Sequence, residues 1–461
     1  MIPQGSSSQI TCDVLVLGGG PAGYSTSIQL AQLGYSVIVL EKTNYTNVRV
    51  GEIITPDSIV SLRTIGVLNE FYSQNYSKCH YVKTIWETCD PVIKDFISNP
   101  YSNGWQVNRI EFDKMLLKKA IDVGVNVILN CQFSLKDSVN YSTNQWNISL
   151  EHKKALNITS KFIVDATGRK SIFSKKIGSK RVIYDKLLGI FGYFYNSEDV
   201  RVNNNNHLVI EAVENGWWYI ADLPDNKIVV CYLTDPNIWR RLKSKSTGKW
   251  LNLLHETKFI QKRIHNLKFE KSPNIVPAYS MITKPLIGKN WLAVGDAAMS
   301  FDPLSSQGVN KALKHGILAS EVIDKVFKGD FKAIDKYEEL LSNEFEEYLQ
   351  HLTFYYCIQM RFEKSEFWNK KFLNSFEREK ISLDPNVELL LNSTINVKAS
   401  SFLNAVYDKI DFNYLFDIIR TNSQPAYQIV QNIDTKFGTD ASEIIRILQL
   451  LLKIDILRVK R

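Results

Sequence analysis

The chain has 461 residues, of which 44% are apolar and 23% charged, and its formal net charge is +8. No stretch approaches the roughly 18 consecutive apolar residues that a membrane-spanning helix needs, and no nucleic-acid-binding motif is present. The six cysteines and seven histidines follow no metal-ligand spacing, which excludes a recognisable zinc site and favours free thiols over a disulfide framework.

The N-terminal segment MIPQGSSSQI has neither a basic stretch nor an apolar core, so it lacks the pattern of a secretory signal. We therefore expect a cytoplasmic protein. The length is enough for two or three hydrophobic cores. Because the lysines are spread along the chain, the mild positive charge indicates solvated faces rather than an acidic partner.

Residues 12–42, CDVLVLGGGPAGYSTSIQLAQLGYSVIVLEK, follow the order strand, glycine-rich turn, helix, strand, acid. In such a unit one glycine permits the turn, a second lets the backbone approach a pyrophosphate, and a third lets helix and strand pack closely. Glu41 ends the second strand, where a carboxylate can accept a hydrogen bond from a ribose hydroxyl. The sequence thus predicts an adenine-dinucleotide site whose turn residues are Gly18, Gly20, Pro21, Ala22 and Gly23.

A second polar segment follows a buried strand in WLAVGDAAMSFDPLSSQGVNKAL, residues 291–313. Asp296 stands at the strand tip, where it can bind ribityl hydroxyls, and a helix is predicted to start near Gln307. The positive end of that helix would stabilise negative charge on a reduced flavin. The segment therefore favours FAD over a nicotinamide dinucleotide, with predicted flavin contacts at Ser306, Gln307, Gly308 and Val309.

The motifs GGGPAG, RVGE, NRIEFDKML, DATGR and GDAAMSFDPLSSQG occur in this order between Cys12 and Leu318. Together they resemble the FAD-dependent aromatic monooxygenase and halogenase superfamily. The resemblance implies that Arg49 and Arg109 lie near the flavin or its phosphates, and that Glu52 and Gly168 belong to the cofactor site. It also implies oxygen activation, in which reduced flavin and O₂ form a C4a-hydroperoxide that donates electrophilic oxygen.

Two positions in the sequence help to distinguish a hydroxylase from a halogenase. Lys83 lies roughly where the tryptophan halogenases keep the lysine that carries the halogen. Those enzymes also carry an acid in P-L-E-S-T-G, whereas this chain has PLSSQG with Ser305 at the acid's position. Because a serine cannot act as a carboxylate at neutral pH, hydroxylation is favoured and halogenation is the alternative. Lys83 and Ser305 are the candidate catalytic residues.

The segments DFISNPYSNGWQVNRIEFDKML, ENGWWYIADLP and EFEEYLQHLTFYYCIQMRFEKSEFWNKK look like the flavoprotein maturases of tryptophylquinone-containing amine and amino-acid oxidases. This resemblance implies hydroxylation of an aromatic residue, a tryptophan side chain, in a peptide or partner protein, with free small phenols and other natural-product scaffolds as alternative substrates. Strand alternation predicts that Trp217 and Tyr219 share one face and that Trp218 lies on the other. All three rings are candidates for the substrate pocket.

The fold class predicted is α/β, and α+β overall: a doubly wound dinucleotide-binding domain, an antiparallel β-sheet substrate domain and a C-terminal helical region, like the aromatic hydroxylases. The boundaries expected are 1–180 and 286–330 for FAD binding, 181–285 for the sheet, and 331–384 for a helical cover. A small helical or winged-helix-like module is expected over 385–461, since Asp440 and Glu443 form a capping box before an apolar helix.

The sequence contains no second nucleotide fingerprint. Electrons for the flavin could therefore come from NAD(P)H directly or from a separate flavin reductase, and O₂ is the expected co-substrate. Two further functions remain open at this point: a flavin-linked reductase of prenyl chains and a flavin-binding assembly factor without turnover. No nucleic acid and no membrane span are expected, and the oligomeric state is open.

Overall fold

The computed structural model describes these residues: 9–46, 49–74, 76–96, 98–150, 156–195, 206–224, 226–242, 247–362, 364–376, 383–391, 400, 403–404, 407, 409–421, 424–454 and 456–460. No helix among them is long and apolar enough to cross a membrane.

The strands are β1 Gln9–Leu17, β2 Val37–Leu40, β3 Ile53–Ile54, β4 Ser77–Cys79, β5 Tyr81–Ile85, β6 Val92–Asp95, β7 Gly104–Gln106, β8 Asn126–Ile128, β9 Ser138–Ser142, β10 Gln145–Leu150, β11 Leu156–Asp165, β12 Lys180–Ile183, β13 Leu188–Tyr195, β14 His207–Val213, β15 Gly216–Asp222, β16 Lys227–Thr234, β17 Lys268–Phe269, β18 Asn274–Pro277, β19 Met281–Lys284, β20 Ile287–Gly288, β21 Trp291–Ala293, β22 Met299–Ser300, β23 Leu389–Leu391 and β24 Leu457–Val459. The helices are α1 Pro21–Gln32, α2 Ser58–Thr64, α3 Leu68–Ser73, α4 Arg109–Asp122, α5 Ile172–Lys176, α6 Pro236–Arg241, α7 Thr247–His255, α8 Ile260–Ile264, α9 Gly308–Phe327, α10 Lys332–Cys357, α11 Glu366–Phe376, α12 Phe412–Thr421, α13 Ala426–Phe437 and α14 Ala441–Lys453.

The first sheet has the strand order β20-β21-β11-β1-β2-β8, with β10 beside β11 and β9 beside β10. Strands β21, β11, β1, β2 and β8 run parallel. Val14 to Leu17 of β1 are fully buried, because a central parallel strand is covered by helices on both faces. The predicted dinucleotide-binding architecture is thereby formed, with α1 following β1 and packing against α9.

The second sheet has the order β17-β13-β16-β15-β14-β5-β6, with β18 beside β13. It is antiparallel except for the β14–β5 pair. Strands β5 and β6 come from residues 81–95, which the sequence boundaries had placed in the FAD-binding segment. One face of this sheet packs towards the first sheet, and the other is covered by α7 and α8.

Two further layers complete the described chain. Helices α10 and α11 lie against both sheets through Tyr337, Phe345, Tyr356 and Trp368, which belong to the main core. Beyond them, α12, α13, α14 and the hairpin β23–β24 form a separate hydrophobic core. Asp440 caps α14 by accepting a hydrogen bond from the backbone N–H of Ser442, at 2.9 Å.

Candidate functional site

A cavity of about 300 Å³ lies between the glycine-rich turn after β1, the start of α9 and the inner face of the second sheet. Thirteen of the residues singled out from the sequence line it: Gly20, Pro21, Ala22, Gly23, Glu52, Arg109, Gly168, Trp217, Tyr219, Asp296, Ser306, Gly308 and Val309. The structure therefore brings together residues that are up to 289 positions apart in the chain.

The glycines after β1 separate into two kinds. A Cβ at Gly23 would lie 1.9 Å from the carbonyl oxygen of Gly18, and a Cβ at Gly18, whose φ is +119°, would lie 2.2 Å from that of Ala166. These two glycines are required by the packing of the chain itself. At Gly20 and Gly308 no atom lies within 4 Å of the Cβ position, so both leave free space facing the cavity.

Glu41 and Arg49 belong to an ion network beside the cavity rather than to its lining. The Glu41 carboxylate accepts hydrogen bonds from the N–H of Gly19 at 2.8 Å and from Arg49 at 2.9 Å. Arg49 also pairs with Asp113 at 2.8 Å, and Arg109 pairs with the same carboxylate at 3.2 Å. Glu41 thus holds the turn backbone, and because its Oε2 can accept a second hydrogen bond beside that of Gly19, its contact with a ribose hydroxyl stays a prediction.

Asp296 is the carboxylate at the tip of β21, in the cavity wall. Its side chain pairs with the buried Lys311 ammonium at 2.9 Å and with Arg169 at 3.5 Å. Burial alone would raise the pKa of Asp296, but these two cations hold it below its usual value. Asp296 is therefore ionised at neutral pH and able to accept hydrogen bonds from hydroxyl groups.

The segment before α9 forms a short 3-10 turn, Pro303–Ser305, capped by Asp302. The hydroxyl of Ser305 donates to the carbonyl of Asp302 at 3.0 Å, and Ser305 does not line the cavity. Gln307 is exposed and likewise outside the lining. Two small residues at the start of α9 line the cavity: Ser306, whose φ is +51°, and Gly308.

The sheet wall of the cavity follows the predicted alternation of β15. Trp217 and Tyr219 line the cavity. Trp218 lies on the opposite face, where its ring stacks on Tyr232 at 4.6 Å between centroids and packs on Trp250. The inclusion of Trp218 among the pocket residues was wrong, because successive strand residues face opposite sides of a sheet.

Trp217 is held by a chain of buried hydrogen bonds that starts on α10. Its Nε1–H donates to the Tyr356 hydroxyl at 3.0 Å, and that hydroxyl donates to Asp302 at 2.7 Å. Lys371 of α11 forms an ion pair with Asp185 and lies 3.8 Å from Asp302. Burial raises the pKa of Asp302, and Lys371 opposes the rise. The helical layer thereby fixes an aromatic ring in the cavity wall.

Lys83 lies outside the cavity, which corrects its assignment as a candidate catalytic residue. In the β5–β14 pairing it is in register with Val209, whereas Leu208 and Ile210 line the cavity. Its Nζ lies 4.9 Å from the ring centroid of Phe259, on the outer face. The register between β5 and β14, whose paired residues are 126 positions apart in the chain, decides this side, and the sequence does not encode that register locally.

We expect Lys83→Met to keep turnover within about two- to threefold of the native rate, since the side chain contacts only the outer face of the sheet. Steady-state turnover of the holoenzyme measures this. A loss of activity with normal FAD content would contradict the placement of Lys83.

Sequence reasoning missed several residues of this site. Arg169 lines the cavity and donates to the backbone carbonyls of Tyr279 and Phe301, at 2.6 and 2.8 Å. It directly follows Gly168 in the DATGR motif, so the motif contained the signal. Asp302 lies within the motif GDAAMSFDPLSSQG, but the contact of Tyr356 of α10 with this site can be recognised only in the three-dimensional structure.

The lining fits FAD. The free space at Gly20 lies at the N-terminus of α1, where backbone N–H groups favour a diphosphate, and Asp296 offers acceptors for ribityl hydroxyls. The start of α9 at Gly308 can receive the pyrimidine edge of the isoalloxazine ring. In the described part of the chain, no group of three or more His, Cys, Asp or Glu side chains could hold a metal ion.

Comparison with known proteins agrees with this geometry. The sequence profile of the family described as "FAD binding domain" matches residues 11–345. LodB of Marinomonas mediterranea, described as an FAD-dependent oxidoreductase, is 27% identical over 78% of this chain and 96% of its own length. The 1H-pyrrole-2-carbonyl peptidyl-carrier-protein brominase of Pseudoalteromonas luteoviolacea is 26% identical over 69% of this chain and 78% of its own.

Two solved structures share the fold at low identity. The myxobacterial chondrochloren halogenase CndH superposes with a TM-score of 0.72 at 20% identity, covering 96% of this chain and 97% of CndH. The peptidyl tryptophan dihydroxylase QhpG, essential for tryptophylquinone cofactor biogenesis, superposes with a TM-score of 0.60 at 16% identity, covering 96% of this chain and 99% of QhpG. The chain belongs to the FAD-binding-domain family, within the flavin-dependent monooxygenase and halogenase superfamily, and is an FAD-dependent oxidoreductase.

Proposed function

We propose that this protein is a monooxygenase that hydroxylates an electron-rich aromatic ring, the side chain of a tryptophan carried by a peptide or partner protein. The observation that carries the proposal is the cavity lining, which contains no lysine among the described residues. A halogenase of this superfamily would need one to carry the halogen to the ring. Lys83 is on the outer face of the sheet, and Ser305 replaces the expected acid.

The residues of the cavity have separable tasks in this proposal. Gly20, Asp296 and the start of α9 hold the cofactor, which supplies oxygen activation when it is bound and reduced. Trp217 and Tyr219 offer ring faces to the substrate, next to the apolar side chains of Leu208 and Ile210. This largely apolar wall excludes water from the reacting groups.

NAD(P)H or a partner reductase would deliver the electrons. A polypeptide substrate is supported by two relatives, one named for a carrier-protein-bound pyrrole and the other for a peptidyl tryptophan. The second candidate function, halogenation of an aromatic substrate, is favoured by the named activities of the brominase and of CndH.

The test is aerobic turnover of the holoenzyme with NADH, a generic flavin reductase and saturating bromide. The substrates are a peptide with one internal tryptophan and free tryptophan. We expect the peptide to gain oxygen, and to be converted at least about tenfold more efficiently than free tryptophan because remote contacts contribute to binding. A brominated product, or preference for free tryptophan, would contradict the proposal.

A further inference from the structure

One carboxyl oxygen in the cavity wall lacks a partner. Glu52 is 3% exposed, and its Oε2 accepts hydrogen bonds from the N–H of Gly51 at 3.1 Å and from the Tyr219 hydroxyl at 3.4 Å. Its Oε1 has no hydrogen-bond partner among the described residues. Since buried polar atoms are nearly always hydrogen-bonded, a ligand that fills the cavity is expected to supply a donor here.

The hydroxyl of Tyr219 connects Glu52 to the sheet wall of the cavity. The Tyr219 ring lies 6.4 Å from that of Trp217 between centroids, and the buried Cys231 thiol adjoins the Tyr219 hydroxyl. Leu208, Ile210 and Leu233 make the rest of this wall apolar. A carboxyl oxygen beside a flat aromatic surface, on a wall made mostly of apolar side chains, is a suitable partner to fix the orientation of a ring that carries one polar atom.

The ribityl hydroxyls of the cofactor have an acceptor of their own in Asp296. The single N–H of an oxidised isoalloxazine ring lies on its pyrimidine edge, for which the start of α9 offers backbone N–H donors and no acceptor, so the FAD content of the Glu52 variants distinguishes a cofactor contact from a substrate contact. Burial raises the pKa of Glu52, and Arg109 opposes the rise. In either protonation state Glu52 can accept a hydrogen bond.

The resemblance in sequence implied that Glu52 belongs to the cofactor site; we propose instead that Glu52, held in place by Tyr219, accepts the ring N–H of a substrate indole and so makes this pocket specific for indoles with a free N–H. The inference rests on the proposed function, because it takes the aromatic substrate to be a tryptophan side chain. It adds the polar contact that orients the indole and names the residue that makes it.

The test measures binding to the oxidised holoenzyme, so that it does not depend on which reaction follows. The probes are N-acetyl-tryptophanamide and its 1-methylindole analogue, titrated against the flavin absorbance spectrum. We expect the native protein to bind the parent about tenfold or more tightly than the methylated probe, the usual effect of a hydrogen bond to a buried carboxyl group.

Glu52→Leu should bind both probes alike, with the parent weakened to the level of the methylated probe and FAD content unchanged. Glu52→Gln keeps a carbonyl acceptor and should retain part of the discrimination, which also covers the case of a leucine variant that does not fold. Tyr219→Phe should weaken the parent by a smaller factor.

Equal affinity of both probes for the native holoenzyme, including no detectable binding of either, overturns the proposal. So does loss of FAD from both the leucine and the glutamine variant, because Glu52 would then serve the cofactor. The proposal is also overturned if the binding of p-cresol depends on Glu52 while the two indole probes bind alike, because the pocket would then recognise a phenol rather than an indole. A brominated product together with intact discrimination contradicts the proposed function and supports this inference.

Discussion

Gly23→Ala is expected to lower FAD affinity by at least about a hundredfold, the largest effect of any single change considered for this protein. The added Cβ would lie 1.9 Å from the carbonyl oxygen of Gly18. Gly18 belongs to the same tight turn, where a Cβ on Gly18 itself would lie 2.2 Å from the carbonyl oxygen of Ala166. The turn that presents the N-terminus of α1 must therefore open. Equilibrium titration of the apoprotein with FAD measures the loss.

Substitutions at two other glycines distinguish backbone strain from loss of a cofactor contact. The Cβ added in Gly20→Ala has no protein atom within 4 Å, so the melting temperature of this variant without FAD should be unchanged, while FAD should bind more weakly. Gly34 has φ of +90° in an open turn away from the cavity, so Gly34→Ala should cost about 1–2 kcal/mol of stability and leave FAD affinity unchanged. Normal FAD affinity in Gly20→Ala would show that the cofactor does not approach this turn.

Asp296→Ala is expected to lower the free energy of unfolding by about 1–3 kcal/mol, because it leaves the buried Lys311 ammonium without its carboxylate while Lys311 keeps its hydrogen bond to the carbonyl of Met299. The Lys311 side chain is 1% exposed, and burial already lowers its pKa. FAD affinity should fall as well, since the acceptor for ribityl hydroxyls is lost. Chemical denaturation of the apoprotein and FAD titration give the two quantities separately.

The double variant Asp296→Ala/Lys311→Met also removes the unpaired Lys311 charge, while keeping a side chain of similar length at that position. It should recover most of the stability but none of the FAD affinity. Recovery of both would mean that Asp296 acts only through its ion pair with Lys311 and has no contact with the cofactor.

Local patterns in the sequence were sufficient for the parts of the site that lie next to their own strand or helix. The glycine-rich turn follows β1 as predicted, and α9 begins at Gly308, one residue from the expected start. The alternation of β15 placed Trp217 and Tyr219 on one face. Each of these depends on spacing within a few residues, which is what periodicity reports.

The remaining features depend on pairings between distant segments. Lys83 could not be assigned to a face without the register of β5 against β14. Glu41 was expected to accept a hydrogen bond from a ribose hydroxyl, but its bonds to Arg49 and to the Gly19 N–H could not be predicted from local spacing. The contact between Tyr356 and Asp302 joins two segments 54 residues apart, and no pattern in either segment indicates the other.

The most direct test of the proposed reaction is the origin of the atom added to the aromatic ring. Turnover with isotopically heavy O₂, in buffer that contains ordinary water and saturating bromide, should give a tryptophan-containing peptide that carries one heavy oxygen atom from O₂ and no bromine. Bromine on the ring, or oxygen derived from water, would contradict oxygen transfer as the reaction of this protein.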